Sequence, residues 1–204
     1  MELLEKNLSI LRKRNPVLAG RLEGHTVQQC WETHPAHNGQ VTARKILGEG
    51  LVRYVHSRHN PEKEARQWAR LIPQGTEILT VLGFGLGYHT LALKKQKYRG
   101  LLIIIEADLG LFQRALRSVA LKPVLEDPRT QWFVQENPEP IKEFFNHLHP
   151  GTLRYRVYSP ATDLHPDYYQ PIRGMLEEHI FERRLRKAPI FSQGIRKLLS
   201  EMIQ

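Results

Sequence analysis

Glu77-Ile-Leu-Thr-Val-Leu-Gly-Phe-Gly-Leu-Gly87 is the stretch whose reading decides the fold. Ile78 to Leu82 is a short, branched, uncharged run, the pattern of a strand buried on both faces, and Tyr88 to Lys95 after the glycines opens a helix. The alternating glycines Gly83, Gly85 and Gly87 permit torsions that a Cβ forbids and let a ligand approach the chain. The first free N–H groups of the helix point at whatever lies there. A second apolar run, Leu101 to Ile105, ends in Glu106, nineteen residues after Gly87. A carboxylate at the tip of the second parallel strand is placed to accept hydrogen bonds from both ribose hydroxyls of a nucleoside. Strand, glycine turn, helix, strand and acid together read as a Rossmann-like nucleoside fold. The competing reading is that the glycines only let a helix pack tightly on a strand, in an empty relic of such a site.

Upstream, Leu3, Leu4, Leu8, Ile10 and Leu11 give residues 2 to 14 a helical pattern, and Pro16 breaks it before a second turn ending at Gly20 or Gly24. Thr26 to Trp31, Gln40 to Leu47 and Leu51 to His56 read as strands, the first two joined by the polar loop His34 to Gly39. Asn60 as N-cap, Pro61 at the first helical position, and Glu62 with Glu64 near the positive end of the dipole mark a helix from Pro61 to Leu71. The polar junction His56-Ser-Arg-His-Asn60 reads either as capping and solvation or as one wall of a ligand crevice. The second reading holds if Leu51 to His56 runs parallel beside the glycine strand. His34 and His37 read as loop histidines, because a zinc site needs at least three protein ligands, and no metal is expected.

Downstream of Glu106, Leu109, Phe112, Ala115, Leu116 and Val119 fall on one helical face. Gln131 to Val134 makes a third strand, Asn137-Pro138 opens a helix burying Ile141, Phe144, Phe145 and Leu148, and Arg154 to Tyr158 makes a fourth strand. This alternation implies a parallel sheet, and right-handed crossovers put Glu106, Gln135 with Glu136, and Ser159 with Pro160 on the edge that carries the glycine turn. Beyond Pro166 the signal is helical, with a break at Pro189 and a last amphipathic stretch carrying Ile195, Leu198, Leu199 and Met202.

Composition sets the outer bounds. At 204 residues the chain is one domain of ordinary size, or one domain with an appendage. Hydrophobic residues at 41% and charged residues at 25% are globular values, and no window reaches the roughly 18 apolar residues of a membrane span, so a soluble protein without membrane contact is expected. The start lacks a secretory pattern, and the single Cys30 suits a reducing compartment, so the expected location is cytoplasmic. The formal charge is +9, with clusters at Lys94, Lys95, Lys97 and Arg99 and at Arg183, Arg184, Arg186 and Lys187, but the basic residues are spread over the whole chain and mixed with 21 acids. Without a nucleic-acid module or an aromatic platform this reads as a solvated basic surface rather than a nucleic-acid face.

Two families resemble the chain at these residues. Leu82-Gly-Phe-Gly-Leu-Gly87 followed by Ile105-Glu106 is similar to the S-adenosylmethionine site of class I methyltransferases, over about residues 77 to 160. That resemblance implies glycines wrapping the methionine moiety and an acid holding the ribose. The acid that this family usually carries two positions before the first glycine is Val81 here, no further strand follows Tyr158, and Ser159-Pro-Ala-Thr162 only faintly echoes the Asp/Asn-Pro-Pro-Tyr element of amino-methylating members. His56-Ser-Arg-His-Asn-Pro-Glu-Lys-Glu-Ala65, Leu82-Gly-Phe-Gly-Leu-Gly-Tyr-His89 and Ile104-Ile-Glu-Ala-Asp108 resemble the N-terminal region of the motility accessory factor family of flagellin glycosyltransferases. In those larger proteins the transfer region lies further towards the C-terminus and opens with its own glycine-rich phosphate turn, and this chain has no second such turn.

The expectation is accordingly an α/β chain with a Rossmann-like, class I methyltransferase-like, mostly parallel sheet and helices on both faces. An N-terminal helix and β-hairpin platform spans 1–58, the Rossmann-like domain 59–165 and a C-terminal helical extension 166–204. The expected cofactor-binding residues are Gly83, Phe84, Gly85, Leu86, Gly87, Tyr88, Glu106, Asp108 and Gln135, with S-adenosylmethionine or another adenosine-containing compound as ligand. No catalytic base can be named. Three functions fit: a nucleoside-binding accessory domain of a motility accessory factor type glycosyltransferase, an active S-adenosylmethionine-dependent methyltransferase, or a basic interaction domain. The family resemblance implies flagellin or a C-terminal transferase domain as partner, and the apolar stripe of the last helix offers a contact for a following domain or a second copy.

Overall fold

The computed structural model describes residues 2–25, 31–148 and 152–187. Its centre is a parallel sheet of β4 (Ile78–Leu82), β5 (Leu101–Glu106), β6 (Thr130–Val134) and β7 (Leu153–Val157), in the order β6-β5-β4-β7. The first three strands step outward in one direction and β7 returns to the other side of β4, which is the strand order around a Rossmann switch point. Side chains alternate across the sheet with the period of two that a pleated strand imposes. Leu79, Val81, Leu102 and Ile104 enter one core, and Ile78, Leu82, Ile103 and Ile105 enter the other.

Helices close both faces. On the first lie α3 (Pro61–Arg70), α4 (Tyr88–Lys95) and α5 (Leu109–Ser118), through Ala65, Ala69, Leu93, Phe112 and Leu116. On the second lie α7 (Pro138–Asn146) and α9 (Pro166–Lys187), through Ile141, Phe145, Tyr169, Ile172 and Leu176. The capping chemistry read from the sequence is present at α3, where the Asn60 side chain accepts the Lys63 N–H at 2.8 Å. This α/β architecture is the Rossmann-like fold expected.

The N-terminal α1 (Leu3–Arg14) and α2 (Pro16–Gly24) are separated at Asn15, whose side chain accepts the Leu18 N–H while Pro16 opens the second helix. Leu8, Leu11, Leu18 and Leu22 join the same core as the first sheet face. Asn7 lies in that interface, 2% exposed. Its Nδ2 donates to the carbonyls of Leu116 and Val119, both at 2.8 Å, and its Oδ1 accepts the Leu121 N–H at 3.2 Å. One amide thereby ties α1 to the end of α5 and to the start of the short helix α6 (Lys122–Leu125), which no periodicity had announced.

The platform is a separate antiparallel sheet of β1 (Trp31–Pro35), β2 (Val41–Ile46) and β3 (Val52–Tyr54), in that order. The hairpin was foreseen, but its first strand lies further along the chain than expected, and residues 26–30 lie outside the described residues. The condition attached to Leu51–His56 is not met. β3 pairs antiparallel with β2 and does not run beside the glycine strand. Period-two alternation reports which face of a strand is buried, not the direction in which it pairs, so the sequence pattern could not decide this. Ser159–Thr162 forms a single helical turn, α8, after β7. The last amphipathic stretch, with Ile195 and Met202, lies outside the described residues. Among the described residues no helix is long and apolar enough to cross a membrane.

Candidate functional site

The glycine turn sits at the carboxyl end of β4, beside the switch point, where ligands of open α/β sheets bind. Gly83, Gly85 and Gly87 have φ of 86°, 58° and 84°, so each uses the left-handed freedom that only glycine has cheaply. The expected residues are gathered on this edge, but apart from Gln135 their groups are turned towards protein. Phe84 is 1% exposed and packs on Phe112 and Trp132, with ring centroids 5.3 and 5.4 Å away. A Cβ on Gly87 would lie 2.5 Å from Phe84 Cζ, so that glycine makes room for the phenylalanine. Leu86 is fully buried. The Tyr88 hydroxyl donates to the Val41 carbonyl at 2.8 Å, which fastens α4 to the hairpin platform.

Glu106 is 0% exposed. Its Oε2 accepts the N–H groups of Phe84 at 2.7 Å and Gly85 at 3.3 Å, and its Oε1 accepts Asp108 N–H at 3.0 Å and the Tyr169 hydroxyl at 3.4 Å. Both oxygens are thus engaged by the glycine turn, the strand end and α9. A ribose would have to displace these donors to reach the carboxylate. Burial pushes the Glu106 pKa up, while hydrogen bonds from the Asp108 and Phe84 N–H groups pull it back.

Asp108 caps α5, accepting Leu111 N–H at 2.9 Å, and its Oδ2 accepts the Trp31 indole N–H at 2.7 Å with His165 Nε2 at 3.4 Å. Burial would raise its pKa, but the side chains of His165 and Trp31 and the Leu111 N–H outweigh it and hold the carboxyl at about 2. Gln135 adopts a left-handed φ of 51°, donates its N–H to the Glu106 carbonyl at 2.6 Å and exposes its side chain. Its neighbour Glu136 pairs with Arg21 of α2.

Three residues absent from the expected set complete the turn. His56 follows the platform, is 3% exposed, and accepts the Leu86 N–H at Nε2, 2.9 Å away. The ring proton of neutral His56 therefore resides on Nδ1, which faces the Tyr158 hydroxyl at 2.9 Å and Glu64 Oε2 at 3.3 Å. Tyr158, at the end of β7, donates in turn to the Val55 carbonyl. A Cβ on Gly85 would meet His56 Nε2 at 2.8 Å and Tyr158 Cε1 at 3.2 Å, and one on Gly83 would meet Ala161 of α8 and the Tyr158 carbonyl, both at 3.1 Å. The space that a ligand would use at this turn is lined by the chain's own His56, Tyr158 and α8. Burial lowers the His56 pKa, against the pull of Glu64.

The sequence carries one signal for this arrangement, the polar run from His56 to Asn60, but its reading as a wall of the crevice rested on a parallel Leu51–His56, and His56 instead reaches the turn from the end of an antiparallel platform. The third residue is His89 on α4, 2% exposed and stacked at 5.3 Å on His56 and 4.1 Å from the Tyr158 ring centroid. In the sequence it stands only at the end of Leu82–His89, one of the stretches that carry the family resemblance.

No protein-family model and no curated protein matches the chain. Among solved structures, the MAf glycosyltransferase from Magnetospirillum magneticum AMB-1 is similar, with a TM-score of 0.60 and 16% sequence identity. The likeness covers 88% of this chain and 35% of that one, so the chain spans about a third of the length of that structure. At this identity the likeness is one of fold: a Rossmann-like α/β domain carrying an antiparallel platform.

Proposed function

We propose that the chain is an accessory domain of a motility accessory factor type glycosyltransferase, and that its glycine turn serves to hold the domain together rather than to carry transfer chemistry. The observation that carries this reading is the extent of the likeness: 88% of this chain superposes on only 35% of a MAf glycosyltransferase, leaving most of that protein without a counterpart. The site geometry agrees, because Glu106 and His56 already satisfy the turn amides of Phe84, Gly85 and Leu86. Fold alone does not confer a reaction. Incubated with activated nonulosonic acid and flagellin, the chain is expected to leave the flagellin mass unchanged, and a shifted mass would overturn the proposal.

A second reading keeps an adenosine-containing ligand, S-adenosylmethionine or its demethylated product, over the turn. It is favoured by the three left-handed glycines at a switch point. It requires Glu106 to exchange backbone donors for ribose hydroxyls. Calorimetric titration separates the two: the accessory reading expects no heat up to millimolar ligand, whereas saturable binding lost in Glu106→Ala supports the nucleoside reading.

A further inference from the structure

His56, Glu64 and His89 come from the bend after the platform, from α3 and from α4, and each offers one donor atom within 4.8 Å of the others. The His56 Nδ1 to Glu64 Oε2 distance is 3.3 Å. Two ligands at about 2.0–2.1 Å from a tetrahedral ion stand roughly 3.3 Å apart. At most about 1.5 Å must close for the remaining donor, the difference between the 4.8 Å bound and that ideal edge.

The second observation is His89 itself. Neither of its ring nitrogens has a hydrogen-bond partner among the described residues, although the side chain is 2% exposed. Buried polar groups are paired in folded proteins, and a donor or acceptor left without a partner is costly enough to need an explanation. Its neighbours are the rings of Trp68, His56 and Tyr158, none of which satisfies it.

We propose that His56, Glu64 and His89 bind one divalent transition-metal ion of the zinc class. Two imidazoles and a carboxylate are the donor set of three-ligand zinc sites, which leave a further position for an oxygen ligand. The Tyr158 hydroxyl, 2.9 Å from His56 Nδ1 and 3.5 Å from Glu64 Oε2, stands beside two of the three donors and is an oxygen near the cluster. Metal on Nδ1 moves the ring proton of neutral His56 to Nε2, where it meets the Leu86 N–H. Two donors then face each other, and the Leu86 hydrogen bond opens. The same imidazole thus couples ion binding on one side to the glycine turn on the other.

The test titrates cobalt(II), then zinc(II), into the full, untagged, metal-free chain. Expected are the visible bands of a low-coordinate cobalt site saturating at one equivalent, and faster hydrogen exchange at the Leu86 amide once zinc is bound. His89→Phe keeps a packed ring and removes both nitrogens, so it is expected to stay folded and to weaken binding by well over about a hundredfold, beyond the 10–100-fold typical of losing a supporting partner. Glu64→Gln serves as a second ligand variant. Cys30→Ser and the pair His37→Ala/His59→Ala, which removes an exposed contact between ring nitrogens 3.0 Å apart, are expected to bind as the wild type does. The proposal is overturned by absent binding at about a hundred micromolar metal, by unchanged affinity in His89→Phe, by loss confined to the Cys30 or His37/His59 variants, or by unchanged Leu86 exchange.

Discussion

Replacing Glu106 by alanine distinguishes a carboxylate that builds the turn from one held ready for a ligand. The substitution strands four donors: the N–H groups of Phe84, Gly85 and Asp108 and the Tyr169 hydroxyl. Only the contacts at 2.7 and 3.0 Å are short, and a stranded buried donor costs about 1–3 kcal/mol, so roughly 2–6 kcal/mol is at stake. Relief from burying a charge offsets part of this, and we expect Glu106→Ala to lose about 2–4 kcal/mol. Glu106→Gln keeps the shape but turns an amide group towards a donor, so about 1–3 kcal/mol is expected. Urea denaturation at neutral pH, followed by circular dichroism, measures both. The raised pKa gives a second signature. The folded state holds the proton more tightly than the unfolded chain, so this group's contribution is greatest below its unfolded value of about 4.5 and is lost as pH rises through the folded one. Glu106→Gln is expected to abolish that component. If Glu106→Ala came within about 0.5 kcal/mol of the wild type, the carboxylate would not be holding the turn, and the reasoning would fail.

Asn7→Leu leaves the Leu116 and Val119 carbonyls and the Leu121 N–H without their partner, and a loss of about 2–4 kcal/mol in the same denaturation assay is expected. Asp108, held at about 2, contributes about 2 kcal/mol at neutral pH. Because its folded pKa is depressed, the advantage over Asp108→Asn should shrink as pH falls from about 4 towards 2, and a constant difference would contradict the assignment. A Cβ on Gly100 would run into the Glu77 carbonyl, whereas one on Gly20 in α2 meets nothing within 4 Å. Thermal melts should therefore show Gly100→Ala destabilised by about 1–3 kcal/mol or more and Gly20→Ala stabilised by about 0.5–1 kcal/mol.

What was legible in the sequence was local. The β4 run, the three glycines, the helix after them and the acid ending β5 each declare themselves within a few residues, and so do Asn60 and Pro61 at the start of α3. Partners distant in sequence were not legible. Glu106 was identified by its place at a strand end, yet what it binds there was decided by amides 21 and 22 residues earlier. Asn7 sits among Lys6 and Glu5 on an amphipathic helix and reads as solvated, because nothing local announces the carbonyls more than 100 residues away that bury it. His56 and His89 belong to different elements, and only the crossover that lays α4 beside the platform stacks their rings. The helical turns α6 and α8 are too short for periodicity to register.

The strand order also bears on the sequence of events during folding. The β4–β5 pairing joins residues 23 positions apart, as Ile78 with Leu101, whereas β4–β7 joins Ile78 with Leu153, 75 positions apart. The longer closure costs about 1 kcal/mol more chain entropy, which favours assembly of the glycine-bearing half before β7 docks. Tyr158 and α8 ride in on that last strand. In that order of assembly the turn precedes one of its lids, and a compound with affinity for the bare turn would act on the partly assembled chain rather than on the finished domain.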